Sequence, residues 1–207
     1  VRRNRISENG TPVDPFGYDY TIRGWVQGIR DRYFKERLVY QDVNDASSCF
    51  NGNIRQQIFQ ILKPGYEQEH FYYEYDGLNR LYNAWSSFYG PNKDGQFGEQ
   101  YEFDRNSNIT HLYRYWPQPS GGGTQQIDNL SLSYNAQTGL LSGISESIAD
   151  QTRNGLIGYK QNGKTSHGIG YDNSGREIWN EGMQVSSVSY NVLSLPRQVQ
   201  TRRGDIT

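Results

Sequence analysis

The residues best suited to catalysis in this sequence are four carboxylates that recur at one spacing. Glu74 and Asp76 flank a tyrosine, and Glu102 and Asp104 flank a phenylalanine in the same way. A glycoside hydrolase needs only two carboxyl groups about 5–10 Å apart. Each aspartate, however, stands where the chain is expected to turn, and each glutamate faces away from the neighbouring aromatic ring. We therefore favour a solvated strand face over a hydrolase site.

Three histidines and one cysteine are the other residues with catalytic or metal-binding chemistry. His70, His111 and His167 would formally supply a three-histidine zinc site, but none has the spacing of a metal-binding motif. Cys49 is the single cysteine, which excludes an internal disulfide and a multi-cysteine metal site. We predict no metal and no other cofactor, histidines on surface strands or loops, and a buried, unreactive thiol.

Aromatic side chains give the strongest indication of ligand binding. The 17 Tyr, 8 Phe and 4 Trp make up 14% of the chain, so rings replace much of the aliphatic core. Flat rings with polar tips suit a carbohydrate platform. The candidate ligand-binding residues are Trp85, Tyr113, Tyr115, Trp116 and Trp179. The alternative, which we favour, is that these rings pack across strands and stabilise a sheet.

Charge and hydropathy narrow the classes of partner. The 207 residues carry 21 basic and 22 acidic side chains, a formal net charge of -1. A nucleic-acid-binding domain normally shows a strongly basic surface, so we predict no nucleic-acid partner. No apolar run approaches the roughly 18 residues of a membrane span, and we predict no membrane insertion.

One seven-residue pattern recurs along the chain. It consists of an aromatic residue, Asp or Asn, two variable residues, a small or turn-forming residue, any residue, and an apolar residue. The clearest copies are Tyr75–Leu81, Phe103–Ile109 and Tyr171–Glu177. Weaker copies are Tyr20–Val26, Tyr134–Leu140 and Tyr190–Pro196, with Phe50–Ile54 as a shortened one. Such self-similarity is typical of a repeat architecture.

The pattern has the properties of a β-hairpin whose loop begins at the Asp. An Asp side chain accepts hydrogen bonds from backbone N–H groups a few residues later, which predicts structural turn roles for Asp76, Asp104 and Asp172. The fifth position, occupied by Gly175 or by Asn and Ser, suits a positive φ. Hairpins are therefore expected at 76–79, 104–107 and 172–175.

The flanks of these turns alternate between apolar and polar residues with period two, which predicts strands throughout. The best helical candidate is Arg30–Tyr40, but we favour a strand there because Arg37–Tyr40 also has strand character. Segments Tyr89–Phe97 and Trp116–Gln126, rich in Gly, Pro and polar residues, are predicted to be long loops. The expected fold is all-β, with consecutive antiparallel hairpins forming a curved or spiral sheet.

From Tyr18 to Val199 the sequence resembles the RHS repeat family, also called YD-repeat proteins. The resemblance is to its bacterial branch, in which an Arg-Gly-Trp segment, here Tyr20–Val26, precedes a turn like Phe50–Ile54. The Tyr-Asp hairpins follow, and Tyr190–Pro196 matches the closing segment. Self-cleaving members carry an aspartate-bearing core segment after the last repeats, and no such segment is found there up to Thr207. Asp14–Gly17 superficially resembles an element of that segment but lies at the wrong end of the chain, so no catalytic residue is transferred.

The resemblance implies a strip of β-hairpins that forms part of a shell or barrel. It further implies a single repeat domain over 1–207 within a longer exported polypeptide, either secreted or at the cell surface. The first functional hypothesis is a non-enzymatic segment that scaffolds or encapsulates a C-terminal, toxin-like part of the same polypeptide. The second is a carbohydrate- or protein-binding module at the cell surface, and the third is a glycoside hydrolase.

Overall fold

The structure is a computed structural model that describes residues 2–8, 11–40, 49–88, 97–118, 123–150, 156–202 and 204–206. The described residues form sixteen β-strands and no α-helix, which confirms the all-β prediction. The strands are β1 (Arg2–Glu8), β2 (Thr11–Tyr20), β3 (Val26–Arg30), β4 (Phe34–Val39), β5 (Gln56–Ile61), β6 (Glu69–Tyr75), β7 (Leu81–Phe88), β8 (Gly98–Phe103), β9 (Ile109–Pro117), β10 (Thr124–Tyr134), β11 (Leu141–Glu146), β12 (Ser166–Tyr171), β13 (Glu177–Asn180), β14 (Val185–Tyr190), β15 (Pro196–Thr201) and β16 (Gly204–Ile206).

Contacts divide the chain into two compact units. The first comprises Val1–Glu99 and Tyr115–Thr124, and the second comprises Gln100–Arg114 and Gln125–Thr207. In the first unit, β1 to β7 pair antiparallel, each with its neighbour in the sequence. In the second unit, β10 to β16 do the same. The single domain over 1–207 stays a prediction.

The predicted hairpins are present. The β6–β7 pair turns at 76–80 and the β12–β13 pair at 172–176, with strand registers that bracket each turn. Between β8 and β9, the N–H of Asp104 donates to the carbonyl of Asn108 at 2.9 Å, which closes the third turn. Because each strand is short and its partner is the next strand in sequence, local turn chemistry suffices to specify the pairing.

Two sequence expectations about the remaining segments are now resolved. The segment 30–40 contains β4, which confirms the preference for a strand over a helix. Burial in this strand alternates, since Phe34, Glu36 and Leu38 are more buried than Lys35 and Arg37. The predicted loop Trp116–Gln126 was too long, since β9 extends to Pro117 and β10 begins at Thr124. Its centre, 119–122, and most of the predicted loop Tyr89–Phe97 lie outside the described residues.

The hairpins that turn at 76–80 and 172–176 each contain a register shift that marks a β-bulge. The fifth motif residue has positive φ, at 62° for Asn79, 67° for Ser107 and 76° for Gly175. The register shifts just before the motif aromatic, between Glu74 and Tyr75 in the β6–β7 pair. A type I turn completed by a left-handed residue and a bulge matches the twist of the flanking strands.

The interior of the described part is small and partly polar. The buried apolar side chains are Tyr40, Ile127, Leu130 and Ile169. The buried polar or charged side chains are Ser86, Asp128, Glu146, His167 and Asn180. Hydrogen bonds therefore carry a larger share of the folding specificity here than in an aliphatic core. Among the described residues, no helix has the length and apolar character needed to cross a membrane.

Ser107 provides a test of the turn geometry, because it holds a left-handed conformation that costs an L-residue about 1 kcal/mol. Both Ser107→Gly and Ser107→Ala remove the hydroxyl, and only alanine keeps the strained Cβ. We expect the glycine variant to be more stable than the alanine variant by about 1 kcal/mol in urea unfolding. The matched pair Asn106→Gly and Asn106→Ala, one residue earlier, should show no advantage for glycine. Equal stability of the two Ser107 variants would contradict the assigned turn.

Candidate functional site

The three turn aspartates lie at the first position of their loops and bond to the backbone of those loops. Asp76 Oδ1 accepts from the N–H groups of Leu78 and Arg80 at 2.9 and 3.0 Å. The same two bonds form from Asn106 and Asn108 to Asp104, at 2.8 and 2.9 Å. Ser174 and Arg176 donate to Asp172 at 2.9 and 3.0 Å. One carboxylate oxygen of each aspartate is thus engaged twice inside its own hairpin.

The second carboxylate oxygen of each turn aspartate bonds to the side chain at the sixth motif position. Arg80 Nε donates to Asp76 Oδ2 at 2.6 Å, and Arg176 Nε donates to Asp172 Oδ2 at 2.7 Å. In the third turn, Asn108 Nδ2 donates to Asp104 Oδ2 at 2.9 Å. The sequence pattern left this position unassigned. The repeated Tyr-Asp-x-x-x-Arg spacing at 75–80 and 171–176 was the available signal.

These contacts fix the ionisation of the turn carboxyls. The backbone hydrogen bond from Arg80 is the largest cause that lowers the pKa of Asp76, and its guanidinium lowers it further. The side-chain hydrogen bond from Arg176 is the largest cause that lowers the pKa of Asp172. Both groups are therefore carboxylates at neutral pH, and neither has a proton to donate as a general acid.

Motif tyrosines connect successive hairpins through their hydroxyl groups. Tyr75 Oη donates to the carbonyl of Ile54 at 2.9 Å. Tyr134 Oη donates to Ile109 O at 2.9 Å, and Tyr190 Oη donates to Glu177 O at 2.6 Å. Each acceptor is the last residue of an earlier motif copy in the same unit. We call these three contacts the tyrosine bridges.

The predicted ligand-binding aromatics are divided between the two units. Trp85, Tyr115 and Trp116 belong to the first unit, and Tyr113 and Trp179 belong to the second. Trp85 stacks on Tyr72, with ring centroids 5.4 Å apart and planes 19° apart. Trp116 meets Phe97 edge-on at 4.8 Å. Tyr115 is half-buried on β9.

In the second unit, Trp179 packs on bare backbone. A Cβ at Gly170 would lie 1.9 Å from Trp179 Nε1, and one at Gly168 would lie 2.9 Å from the same ring. The absence of side chains at these two positions of β12 therefore makes room for the indole. Tyr113 stacks on His111 with centroids 6.1 Å apart, and its hydroxyl donates to Glu102 at 3.1 Å. Both rings have packing partners within the sheet.

A groove of about 560 Å³ in the first unit contains one of the five predicted ligand aromatics, Trp85. Tyr72, Tyr82 and Glu74 also line it, opposite Asn51 on the loop before β5. Glu74 Oε2 accepts from Tyr82 Oη at 3.0 Å, and this bond raises the pKa of the Tyr82 phenol. Rings beside amide and carboxylate groups are the chemistry with which proteins hold sugars, and the volume suits a small ligand.

The three histidines each contact a different neighbouring side chain. Gln56 Nε2 lies 3.0 Å from His70 Nδ1, and His111 Nδ1 lies 3.2 Å from Glu102. The prediction of a surface position is wrong for His167, which is buried against Tyr159 with ring centroids 5.5 Å apart. Within the described ranges, no group of three or more His, Cys, Asp or Glu side chains suits a metal ion. Burial raises the pKa of the Cys49 thiol, which keeps it protonated at neutral pH.

Sequence reasoning missed a buried charged cluster in the second unit. Asp128 on β10 forms an ion pair with Arg114 and lies beside Glu146 on β11. Asp128 and Glu146 are 0% and 1% exposed. The available signal was alternation along β10, because Asp128 stands two residues before the inward-facing Leu130 and so shares its face.

Comparisons with known proteins identify no relative by sequence. No model of a known protein family matches the chain, and no curated protein matches it. Among solved structures, the crystal structure of TcdB2-TccC3-Cdc42 aligns with 95% of this chain at 11% identity and a TM-score of 0.42. That of TcdB2-TccC3-TEV aligns with 95% at 10% identity and a TM-score of 0.40.

The chain spans 11% and 12% of the lengths of those two solved chains. At these identities and scores the alignments carry no functional conclusion. The all-β fold rests on the strand pairing of the chain itself.

The tyrosine bridges predict that a hydroxyl matters more at a bridge than on the surface. Tyr134→Phe leaves the carbonyl of Ile109 without its donor, so we expect a loss of about 0.5–1.5 kcal/mol in the free energy of unfolding. Tyr113→Phe, in the same unit, removes an exposed contact with Glu102 and should cost less than about 0.5 kcal/mol. Urea unfolding of both variants measures the difference. Equal losses would remove the special role assigned to Tyr134.

Proposed function

We propose that this chain is a non-enzymatic structural repeat segment of a longer polypeptide. One observation supports the proposal above others: the recurring polar groups of the motif are engaged in holding hairpins together. Both oxygens of Asp76 and Asp172 accept hydrogen bonds within their loops. The hydroxyls of Tyr75, Tyr134 and Tyr190 bond to backbone carbonyls of earlier hairpins. These repeated polar groups therefore have a structural role, because they hold the hairpins together as a framework.

The proposed task of that framework is to enclose the C-terminal part of the same polypeptide. The burial of strands β5 and β6 is consistent with a single-layered sheet, which we call the wall. Every residue in these strands is half-buried, and neither strand has a fully buried face. A sandwich strand instead alternates between buried and exposed positions. The resemblance to RHS repeats supports the same task, and it also supports a polypeptide that is exported, either secreted or at the cell surface.

Protection of the enclosed segment from protease tests this proposal. The longer polypeptide would carry a site for a sequence-specific protease within its C-terminal part. We expect cleavage at that site to be slow in the intact protein and to accelerate when Tyr75, Tyr134 and Tyr190 are together replaced by Phe, since the wall then opens more often.

The matched control replaces Tyr33, Tyr82 and Tyr113, which are not part of the tyrosine bridges, by Phe and should leave cleavage slow. Cleavage of the intact protein as fast as that of the isolated C-terminal part would refute encapsulation. It would leave the scaffolding role to be judged from the stability of the bridge variants.

The second candidate function is carbohydrate binding, and the groove around Trp85 favours it. Its rings and its Glu74 carboxylate offer both stacking and hydrogen bonding to a sugar. A glycan array should then show binding that Trp85→Ala abolishes and that Tyr33→Ala, an exposed ring outside the groove, preserves. If no glycan binds, the carbohydrate-binding function is refuted and only the structural role remains as a proposal. A glycoside hydrolase has less support, because Asp76 beside this groove is bonded into its turn.

A further inference from the structure

The second unit buries two carboxyl side chains in contact with each other. Asp128 on β10 and Glu146 on β11 are almost fully buried, and a hydrogen bond joins their carboxyl groups. Two ionised carboxylates have only acceptors, so a hydrogen bond between them requires one proton. The pair can keep this hydrogen bond only while one of the two carboxyl groups is protonated, a state with one negative charge.

The surroundings of the pair suit that charge state. Arg114 donates through its guanidinium to Asp128 Oδ2, which balances one negative charge. Glu146 Oε1 accepts from the backbone N–H groups of Asn129 and Ile148 at 3.0 and 2.7 Å. A second negative charge at this depth would be costly, because one guanidinium is already matched to the first.

Asp128 and Glu146 also bond to a segment without regular secondary structure, through the Asp128 carboxylate and the backbone carbonyl of Glu146. We call residues 156–161 the strap. The N–H of Tyr159 donates to Asp128 Oδ1 at 2.5 Å, and Gln161 Nε2 donates to the carbonyl of Glu146 at 2.8 Å. The Tyr159 ring packs edge-on against His167 on β12. The hydroxyl of Tyr159 lies where a Cβ on Gly182 would stand.

We propose that the Asp128–Glu146 pair is a pH-sensitive latch that holds the strap over β10–β12 while the pair shares one proton and releases the strap when that proton is lost. The proton leaves to solvent. The two carboxylates then repel each other, and hydration of the pair requires the strap to move away. The Asp128 carboxylate itself accepts the bond from the Tyr159 N–H, so its displacement loosens that attachment, whereas Gln161 is bonded to the backbone carbonyl of Glu146.

The direction of the response follows from Glu146. Burial is the largest cause that raises its pKa, and Asp128 raises it further against two backbone hydrogen bonds. A carboxyl with a raised pKa in the closed state stabilises that state at low pH, and the contribution is lost as pH rises through the raised value. Other titratable or charged groups around the pair and strap are Arg114, Tyr159, His167, Asp150 and Glu181 with its partner Lys164.

Hydrogen exchange of the Tyr159 amide, followed from roughly pH 4 to pH 9 and corrected for intrinsic exchange, tests the latch. Between the ordinary carboxyl pKa and the raised one, we expect the opening equilibrium to increase up to about tenfold per pH unit and then to level off. Glu146→Gln supplies a permanent amide donor to Asp128, so its opening should be independent of pH. Glu181→Gln, the matched control, should retain the wild-type slope.

Three results would overturn the proposal: a flat wild-type profile, a wild-type slope in Glu146→Gln, or loss of the slope in His167→Phe, which would identify the histidine as the titrating group. If Glu146→Gln fails to fold, carboxyl ¹³C resonances of the wild-type protein decide instead. The latch requires that one carboxyl keeps its proton above the ordinary range, and two carboxyls that both titrate in that range would contradict it.

Discussion

The hydrogen bond from a motif tyrosine to the backbone of an earlier hairpin is the interaction on which this fold most depends. Only four apolar side chains in the described part are buried, so burial of aliphatic surface contributes little to joining one hairpin to the next. Tyr75, Tyr134 and Tyr190 supply that connection instead, each to the last residue of an earlier motif. A net gain of about 0.5–1.5 kcal/mol per bond is modest, but the bond recurs along the chain.

The turn and the tyrosine bridge occur together in the same motif. The aspartate or asparagine after the tyrosine closes a loop that contains a left-handed residue, at the fifth motif position after Tyr75 and Tyr190 and at the sixth, Gly139, after Tyr134. The register shifts immediately before Tyr75, Tyr134 and Tyr190, the residues that form the bridges. The extra residue of each bulge lies on the strand after the turn, opposite the tyrosine, so the bulge and the bridge occur at the same level of each hairpin. In the β12–β15 region, Arg176 adds a second connection, since its guanidinium pairs with Asp172 and stacks over the Tyr190 ring.

What the sequence predicted well was local. The hairpins at 76–79, 104–107 and 172–175 and the left-handed fifth position follow from interactions within one loop, which residue types alone reveal. The partner of Tyr134 is 25 residues away, and no local pattern indicates that Ile109 O needs a donor. The Asp128–Glu146 pair was missed for the same reason, since two strands must pair before the carboxyls meet. Nothing in the sequence indicated, either, that Gly168 and Gly170 lie beneath the ring of Trp179.

The coupling of successive hairpins is tested most directly by amide hydrogen exchange in Tyr190→Phe. We expect protection to fall in both hairpins joined by this bridge, at Arg176 in the β12–β13 turn as well as at Leu195 in the β14–β15 turn. Both amides donate to a turn residue, Asp172 or Asn191, and serve as equivalent reporters. A loss confined to the β14–β15 hairpin, with Arg176 as protected as in the wild-type protein, would show that the hairpins open independently and would contradict the account.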